Sequence, residues 1–216
     1  MKSIIKKNTF FLLPYLLFLI IGGFFLTHFS KSTIHLYINQ FHCSVGDQVA
    51  PFITNFGSYF AFLILISLLF YNYRFSIIVI GAFLISSIFT QTLKHTIFNN
   101  VLRPAAYFKD IHSLYLVPGV KMNFYHSFPS GHATTAFAVY FSLALLSEKK
   151  LFKFLFFILA LSVDYSRVYL SQHFLIDVYF GSIVGTLSAF LSYYIVENTQ
   201  LLKNKTWINH SLIRKN

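Results

Sequence analysis

Cysteine is almost missing from this sequence, where Cys43 stands alone. A single thiol rules out an intrachain disulfide and a cysteine-based metal cluster, and Cys43 is expected as a small buried hydrophobe. Acids are nearly as scarce. Six Asp and Glu face seventeen Lys and Arg. None of the six forms the carboxylate pair or the His-Glu-x-x-His pattern that marks a hydrolytic metal site, so neither metal nor cofactor is expected. Charged residues of both signs make up only 11% of the chain, too few to clothe an ordinary soluble domain. No internal repeat or low-complexity segment interrupts it, and one domain over residues 1–216 is expected.

What the chain has instead is apolar and aromatic. Hydrophobic residues reach 56% and aromatic ones 20%, with 28 Phe and 14 Tyr, more than a soluble core of this length can bury. A lipid-facing surface with interfacial rings accommodates them. Six runs are long enough to cross a bilayer: Phe10 to Phe29, Phe52 to Tyr71, Phe75 to His95, Ser130 to Leu146, Leu151 to Leu170 and Phe174 to Val196. The fold expected is all-α, a six-transmembrane-helix bundle. The first run follows Lys2, Lys6 and Lys7 like a signal peptide, but no small-residue cleavage site comes after it, so it is read as an uncleaved span.

The formal charge of +11 invites a nucleic-acid reading. The bases, however, sit between apolar runs rather than in one stripe interleaved with stacking aromatics, which excludes that partner. With a cytoplasmic N-terminus, Lys2, Lys6, Lys7, Arg74, Lys149, Lys150, Lys153, Lys203, Lys205, Arg214 and Lys215 all fall inside, eleven of seventeen, as the positive-inside rule requires. Both termini are then cytoplasmic. Lys31, Lys94, Arg103, Lys109, Lys121 and Arg167 fall outside, and three of these belong to the clusters that carry chemistry.

Those clusters are Lys94 to Pro104, Pro129-Ser130-Gly131-His132, and Ser166-Arg167 followed by His173 and Asp177. Alternating spans bring all three to the outer membrane face. His173 and Asp177, four residues apart, share one face of a helix start. A carboxylate on one ring nitrogen leaves the other unprotonated and aimed, which makes imidazole a nucleophile; alone, such a pair is more often a satisfied interfacial contact. In isolation Ser130 reads first as a helix cap; with Gly131 it also offers a set of donors to a phosphoryl group at a helix N-terminus, with His132 placed to protonate a leaving oxygen. Lys94, Arg103 and Arg167 have structural readings too, snorkelling for Lys94 and pairing with Asp164 for Arg167. Three bases and two histidines nevertheless outnumber the nearby acids Asp164 and Asp177, a deficit a bound phosphate would fill.

Taken together these residues resemble the type 2 phosphatidic-acid phosphatase family, whose signatures are Lys-x6-Arg-Pro, Pro-Ser-Gly-His and Ser-Arg-x5-His-x3-Asp. The second is complete at Pro129 to His132 and the third from Ser166 to Asp177. The resemblance implies a lipid phosphate phosphatase with His173 as the nucleophile that forms a phosphohistidine. It also implies Asp177 orienting His173, His132 as general acid, and Lys94, Arg103, Ser130, Gly131 and Arg167 gripping phosphate, with no metal. Undecaprenyl pyrophosphate, phosphatidylglycerophosphate, phosphatidate and lipid A are all suitable substrates. Expected partners are therefore a lipid phosphate and the bilayer, in a bacterial inner membrane with the site facing the periplasm or exterior. Transfer of phosphate to another lipid uses the same site. Transport of an anion is disfavoured, because transport sites sit near the midplane.

The first signature departs from its pattern, with eight residues between Lys94 and Arg103 where six are usual. On an unbroken helix of roughly 100° per residue a nine-residue step points away from Lys94, whereas a seven-residue step returns to its face. Arg103 therefore requires the helix to end first, and Asn99-Asn100 with the following Pro104 is the expected terminus. Residues Ala105 to Phe128 are expected along the membrane surface, as a lid or as an interfacial helix. The remaining histidines, among them His35 and His126, are expected to be solvated at the interface. Oligomeric state is not legible.

Overall fold

A computed structural model of the chain describes residues 2–199 and 205–213. Lys203, Arg214 and Lys215, counted above for orientation, lie outside the described residues. The chain forms α1 (Lys2–Lys7), α2 (Thr9–His28), α3 (Lys31–Asn39), α4 (Ser44–Ile53), α5 (Tyr59–Tyr71), α6 (Tyr73–Thr96), α7 (Pro104–Tyr107), α8 (Gly131–Leu146), α9 (Lys150–Tyr169) and α10 (Leu175–Asn198). Short 3₁₀ turns cover Thr54–Gly57 and Thr206–Asn209. Among the described residues there is no strand.

Among the described residues four helical stretches are long and apolar enough by themselves to cross a membrane: Thr9–His28, Ser44–Tyr71, Tyr73–Thr96 and Leu175–Asn198. The other two expected spans differ for physical reasons. Helix α8 is shorter and is the axis of the bundle, with Ala133, Ala136, Phe137, Tyr140, Phe141 and Ala144 all buried. Helix α9 has full length but carries Lys153, Asp164 and Arg167, each facing inward and buried. The second expected span begins earlier than its apolar run, because α4 and the 3₁₀ turn extend it to Ser44. Cys43 is exposed rather than buried, and its sulfur caps α4 by accepting from the Gly46 N–H at 3.4 Å.

The bundle exposes large apolar side chains outside, and buries small and polar residues beside its aromatic core. Leu13, Leu17, Ile20 and Phe24 of α2, Phe62 and Phe70 of α5 and Leu187 and Leu191 of α10 are exposed. Ser76, Ser86, Ser142, Ser182, Ser188 and Ser192 are buried. Lipid offers no hydrophobic drive for helices to meet, so close backbone approach through small residues holds such a bundle together. Gly181 and Gly185 supply that approach between α10 and α8. A Cβ on Gly181 would lie 2.8 Å from the Ser130 carbonyl oxygen, and one on Gly185 2.9 Å from Phe137 Cβ and in collision with the Thr134 carbonyl.

At one end, Arg74 of α6 ion-pairs with Glu197 of α10, and Lys153 Nζ donates to Asn8 Oδ1 at 2.7 Å. The three clusters singled out from sequence gather at the other end. An apolar cavity of about 800 Å³ between Phe10, Leu13, Leu151 and Phe154 lies away from them and has no ionisable group in its wall.

Gly185→Val forces α10 away from α8. It is expected to cost about 1–3 kcal/mol, as overpacking does, and to appear as a lowered unfolding midpoint of the detergent-solubilised protein.

Candidate active site

Asp177 sits in the first turn of α10, and its Oδ2 gathers three donors. The Phe174 backbone N–H donates at 2.9 Å, the Ser127 hydroxyl at 2.5 Å and His173 Nδ1 at 3.3 Å. The first bond caps the helix that carries Asp177, so the carboxylate is fixed by its own secondary structure. The Asp177 carbonyl also accepts from the Ser130 N–H at 3.0 Å, tying the starts of α10 and α8 together.

His173 reaches this carboxylate because the chain reverses between α9 and α10. The Gln172 and His173 N–H groups both return to the Arg167 carbonyl, at 3.0 and 3.2 Å. The turn needs Ser171 in the left-handed region, at φ 51°, a conformation that L-residues other than glycine resist. Its hydroxyl is held by His35 Nε2 at 3.1 Å and by Asn39 Nδ2 at 3.4 Å. His35 is thus not solvated as expected. It is buried against Phe108 and Phe174, and burial pushes its imidazole down to about 4, keeping it neutral.

The other ring nitrogen of His173 faces Arg103, with Nη1 and Nε2 3.2 Å apart. A guanidinium only donates, so Nε2 is the acceptor, and Nδ1 carries the proton given to Asp177. Burial first, and then the charges of Arg103, Arg167 and Lys94 and the ring of His132, holds the His173 imidazole well below its ordinary range.

Arg103 arrives as the loop expectation requires. Helix α6 ends at Thr96, three residues before Asn99, and the chain turns so that Arg103 becomes the extended residue before α7. Its N–H bonds the Phe124 carbonyl at 2.9 Å, and its side chain donates to the carbonyls of Tyr125 at 2.9 Å and Gln172 at 3.2 Å. The expected interfacial helix is confined to Pro104–Tyr107. Residues 108–129 are turns and extended chain; the carbonyls of Phe124 and Tyr125 among them serve Arg103, and that of Lys121 accepts from Gln172 Nε2 at 3.1 Å.

Arg167 donates to Thr54 Oγ1 at 2.8 Å and to Gln172 Oε1 at 3.4 Å, while its Nε has no partner. It does not pair with Asp164. That carboxyl is buried with both oxygens unpartnered and acts electrostatically on Tyr15 of α2, on another side of α9. Lys94 is buried at the end of α6 with no hydrogen-bond partner for its Nζ, which lies 4.0 Å from the place a Gly131 Cβ would occupy. Ser130 caps α8, its hydroxyl accepting the Ala133 N–H at 3.5 Å, while the N–H groups of Gly131 and His132 have no acceptor.

The structure therefore brings together Lys94, Arg103, Ser130, Gly131, His132, Arg167, His173 and Asp177. His132 lines two openings, an outer cavity of about 330 Å³ walled by Thr54, Lys121, Arg167 and Gln172 and a lateral groove of about 600 Å³ between α5, α6 and α8. Reading from sequence missed Ser127, Gln172, Thr54 and His35. The first two lie within two residues of a motif, which is the only local signal they give; the others arrive from distant segments. Three buried cations around unpaired backbone N–H groups form the donor set of an anion. Among the described residues no three His, Cys, Asp or Glu side chains gather as a metal site requires.

Comparison with known proteins agrees with this geometry. The sequence profile described as the PAP2 superfamily matches residues 75–201. The crystal structure of LpxE from Aquifex aeolicus is similar, with 26% identity and a TM-score of 0.65 over 76% of this chain and 96% of that one. So is that of a transmembrane PAP2 type phosphatidylglycerolphosphate phosphatase from Bacillus subtilis, with 24% identity, a TM-score of 0.63, and 93% and 100% of the two chains covered. A comparison with curated proteins gives no significant match. With more than half of its length matched by that profile, this chain belongs to the PAP2 superfamily, the type 2 phosphatidic-acid phosphatases that its signatures resemble.

Proposed function

We propose that the chain is one integral membrane domain over residues 1–216 that hydrolyses a phosphomonoester or pyrophosphate on a membrane lipid without a metal. Membership of the PAP2 superfamily supports a lipid phosphate as substrate, and the Bacillus subtilis protein of similar fold is a phosphatidylglycerolphosphate phosphatase. Undecaprenyl pyrophosphate, phosphatidylglycerophosphate, phosphatidate and lipid A all satisfy this reading. In this proposal the chain has six spans, both termini in the cytoplasm and the site at the periplasmic or outer face of a bacterial inner membrane, an orientation that the distribution of Lys and Arg supports.

The observation that carries the reading is the tautomer of His173, whose Nε2 lone pair faces the cation cluster while Asp177 holds Nδ1–H at 3.3 Å. Phosphate entering the cluster takes the guanidinium of Arg103 onto its own oxygens and frees Nε2 for in-line attack. The Nε2–P bond forms as the P–O bond to the lipid breaks, and His132 gives a proton to the departing oxygen. Water then attacks phosphorus, loses its proton to His132, and displaces Nε2, which restores both residues. Lys94, Arg103 and Arg167, with the Ser130 hydroxyl and the Gly131 N–H, hold the oxygens on which negative charge accumulates. Asp177 stabilises the imidazolium-like His173 during transfer.

Purified protein in chelator is expected to release phosphate from at least one of the four lipids, and His173→Ala to lower kcat by about three orders of magnitude or more. Full activity in His173→Ala, or loss of activity on chelation, contradicts the proposal.

The depressed His173 pKa fixes a sign for pH dependence. The nucleophile is the neutral ring, so the acid limb of activity falls as pH drops through a His173 pKa that lies below the ordinary 6.5. Arg103→Gln removes a cation that helps depress it, so the acid limb of kcat/KM moves to higher pH. A limb unmoved or moved downward in this variant is inconsistent with the assignment.

A further inference from the structure

The groove between α5, α6 and α8 opens to the apolar exterior at the level of the site and is roofed by Gly131 and His132. Phe62 and Phe83 give it the apolar wall expected of a place for a lipid chain. Its remaining wall is less expected. Ser87 and Gln91 of α6 and Thr135 of α8 line it, and none of their side chains has a hydrogen-bond partner.

Serines in the same helices behave differently. Ser86 returns its hydroxyl to the Phe83 carbonyl at 3.0 Å, and Ser142 to the Ala138 carbonyl at 2.7 Å. Such back-bonding is the ordinary way a hydroxyl is satisfied within a membrane helix. Ser87, Thr135 and the amide of Gln91 forgo it and face the groove, where an unpaired polar group is costly unless something in the groove bonds it. Gln91 alone offers two donors.

The depth of these groups says what that something is. Gln91 lies three residues below Lys94, Ser87 seven below, and Thr135 four residues into the membrane from Gly131. At 1.5 Å per residue they are about 4–10 Å deeper than the phosphate cradle. In an acylated lipid phosphate, ester carbonyls lie a few bonds from phosphorus at this depth and are pure acceptors. A polyprenyl phosphate carries only hydrocarbon there.

We propose that the groove receives the ester-linked region of the substrate, so that the enzyme acts on an acylated lipid phosphate in preference to a polyprenyl phosphate. This rests on the phosphatase reading above. Ser87, Gln91 and Thr135 are then residues that set specificity by donating to acyl carbonyls, and the hydrocarbon beyond them lies against Phe62 and Phe83.

The test compares phosphatidate with its dialkyl ether analogue, which keeps the phosphate and chains but lacks carbonyls, alongside an acylated glucosamine disaccharide phosphate and a polyprenyl phosphate. The wild-type kcat/KM is expected to favour an ester-bearing lipid over its ether or polyprenyl counterpart by about tenfold or more, the usual factor for one lost hydrogen bond. Gln91→Leu with Thr135→Val is expected to collapse the ester-to-ether ratio towards one. Because the readout is a ratio, a partly misfolded variant does not imitate the result. Cleavage of the disaccharide phosphate rather than phosphatidate supports the same class and identifies its source as a sugar lipid, with the ratio then read on its acyl and alkyl forms. Equal rates on ester and ether lipids, preference for the polyprenyl phosphate, or a ratio unaltered in the double variant overturns the proposal and leaves the phosphatase standing. No phosphate release from any of these lipids, nor from phosphatidylglycerophosphate or undecaprenyl pyrophosphate, removes the phosphatase reading itself and this inference with it.

Discussion

The arrangement at the membrane end of this molecule depends on one carboxylate oxygen. Asp177 Oδ2 accepts from a helix N-terminus, from the hydroxyl of Ser127 and from the ring of His173. Each bond locks a different segment: α10, the loop that leads to α8, and the turn that leaves α9. Without that acceptor the three segments have no shared partner, and the imidazole has no acceptor for its Nδ1 proton. The same oxygen thus sets both local structure and the direction in which the Nε2 lone pair of His173 points.

Around this acceptor the charge balance is lopsided. Lys94, Arg103 and Arg167 are buried within reach of His173, yet the one carboxylate among them is already committed to the ring. Asp164, the other nearby acid, turns away and is unpartnered. Uncompensated cations at the edge of an apolar bundle are expensive, and Arg103 carries its remaining donors on backbone carbonyls as a partial remedy. The proposed phosphate group would complete the set. The scaffold tolerates this because its exterior is already matched to lipid and its interior is held by close contacts of small residues, so that stability does not rest on the charged end.

Sequence and structure agree where the governing signal is local. Runs of apolar residues place α2, α6 and α10 to within two residues of their expected bounds, and the complete signatures from Pro129 and Ser166 bring their residues to one end of the bundle. Arg103 was legible only in outline. Helical periodicity requires the chain to leave the helix before it, but the exit at Thr96 and the return through the Phe124 carbonyl depend on a loop whose path is fixed by distant partners. His35 shows the same limit more sharply. Nothing in residues 31–39 announces that its ring supports Ser171 in a left-handed turn more than a hundred residues away. Asp164 beside Arg167 illustrates the converse, since spacing that permits an ion pair does not oblige one when the two side chains have different neighbours.

The central claim is that His173 is the atom's-length partner of phosphorus during turnover. Rapid acid-free quenching of the protein with a substrate labelled in its phosphate, followed by peptide mapping, tests it most directly. The account predicts label on the peptide that contains His173, lost in acid and stable in base as a phosphohistidine is. Turnover without trapped label at any quench time, or label on Asp177 instead, would contradict it.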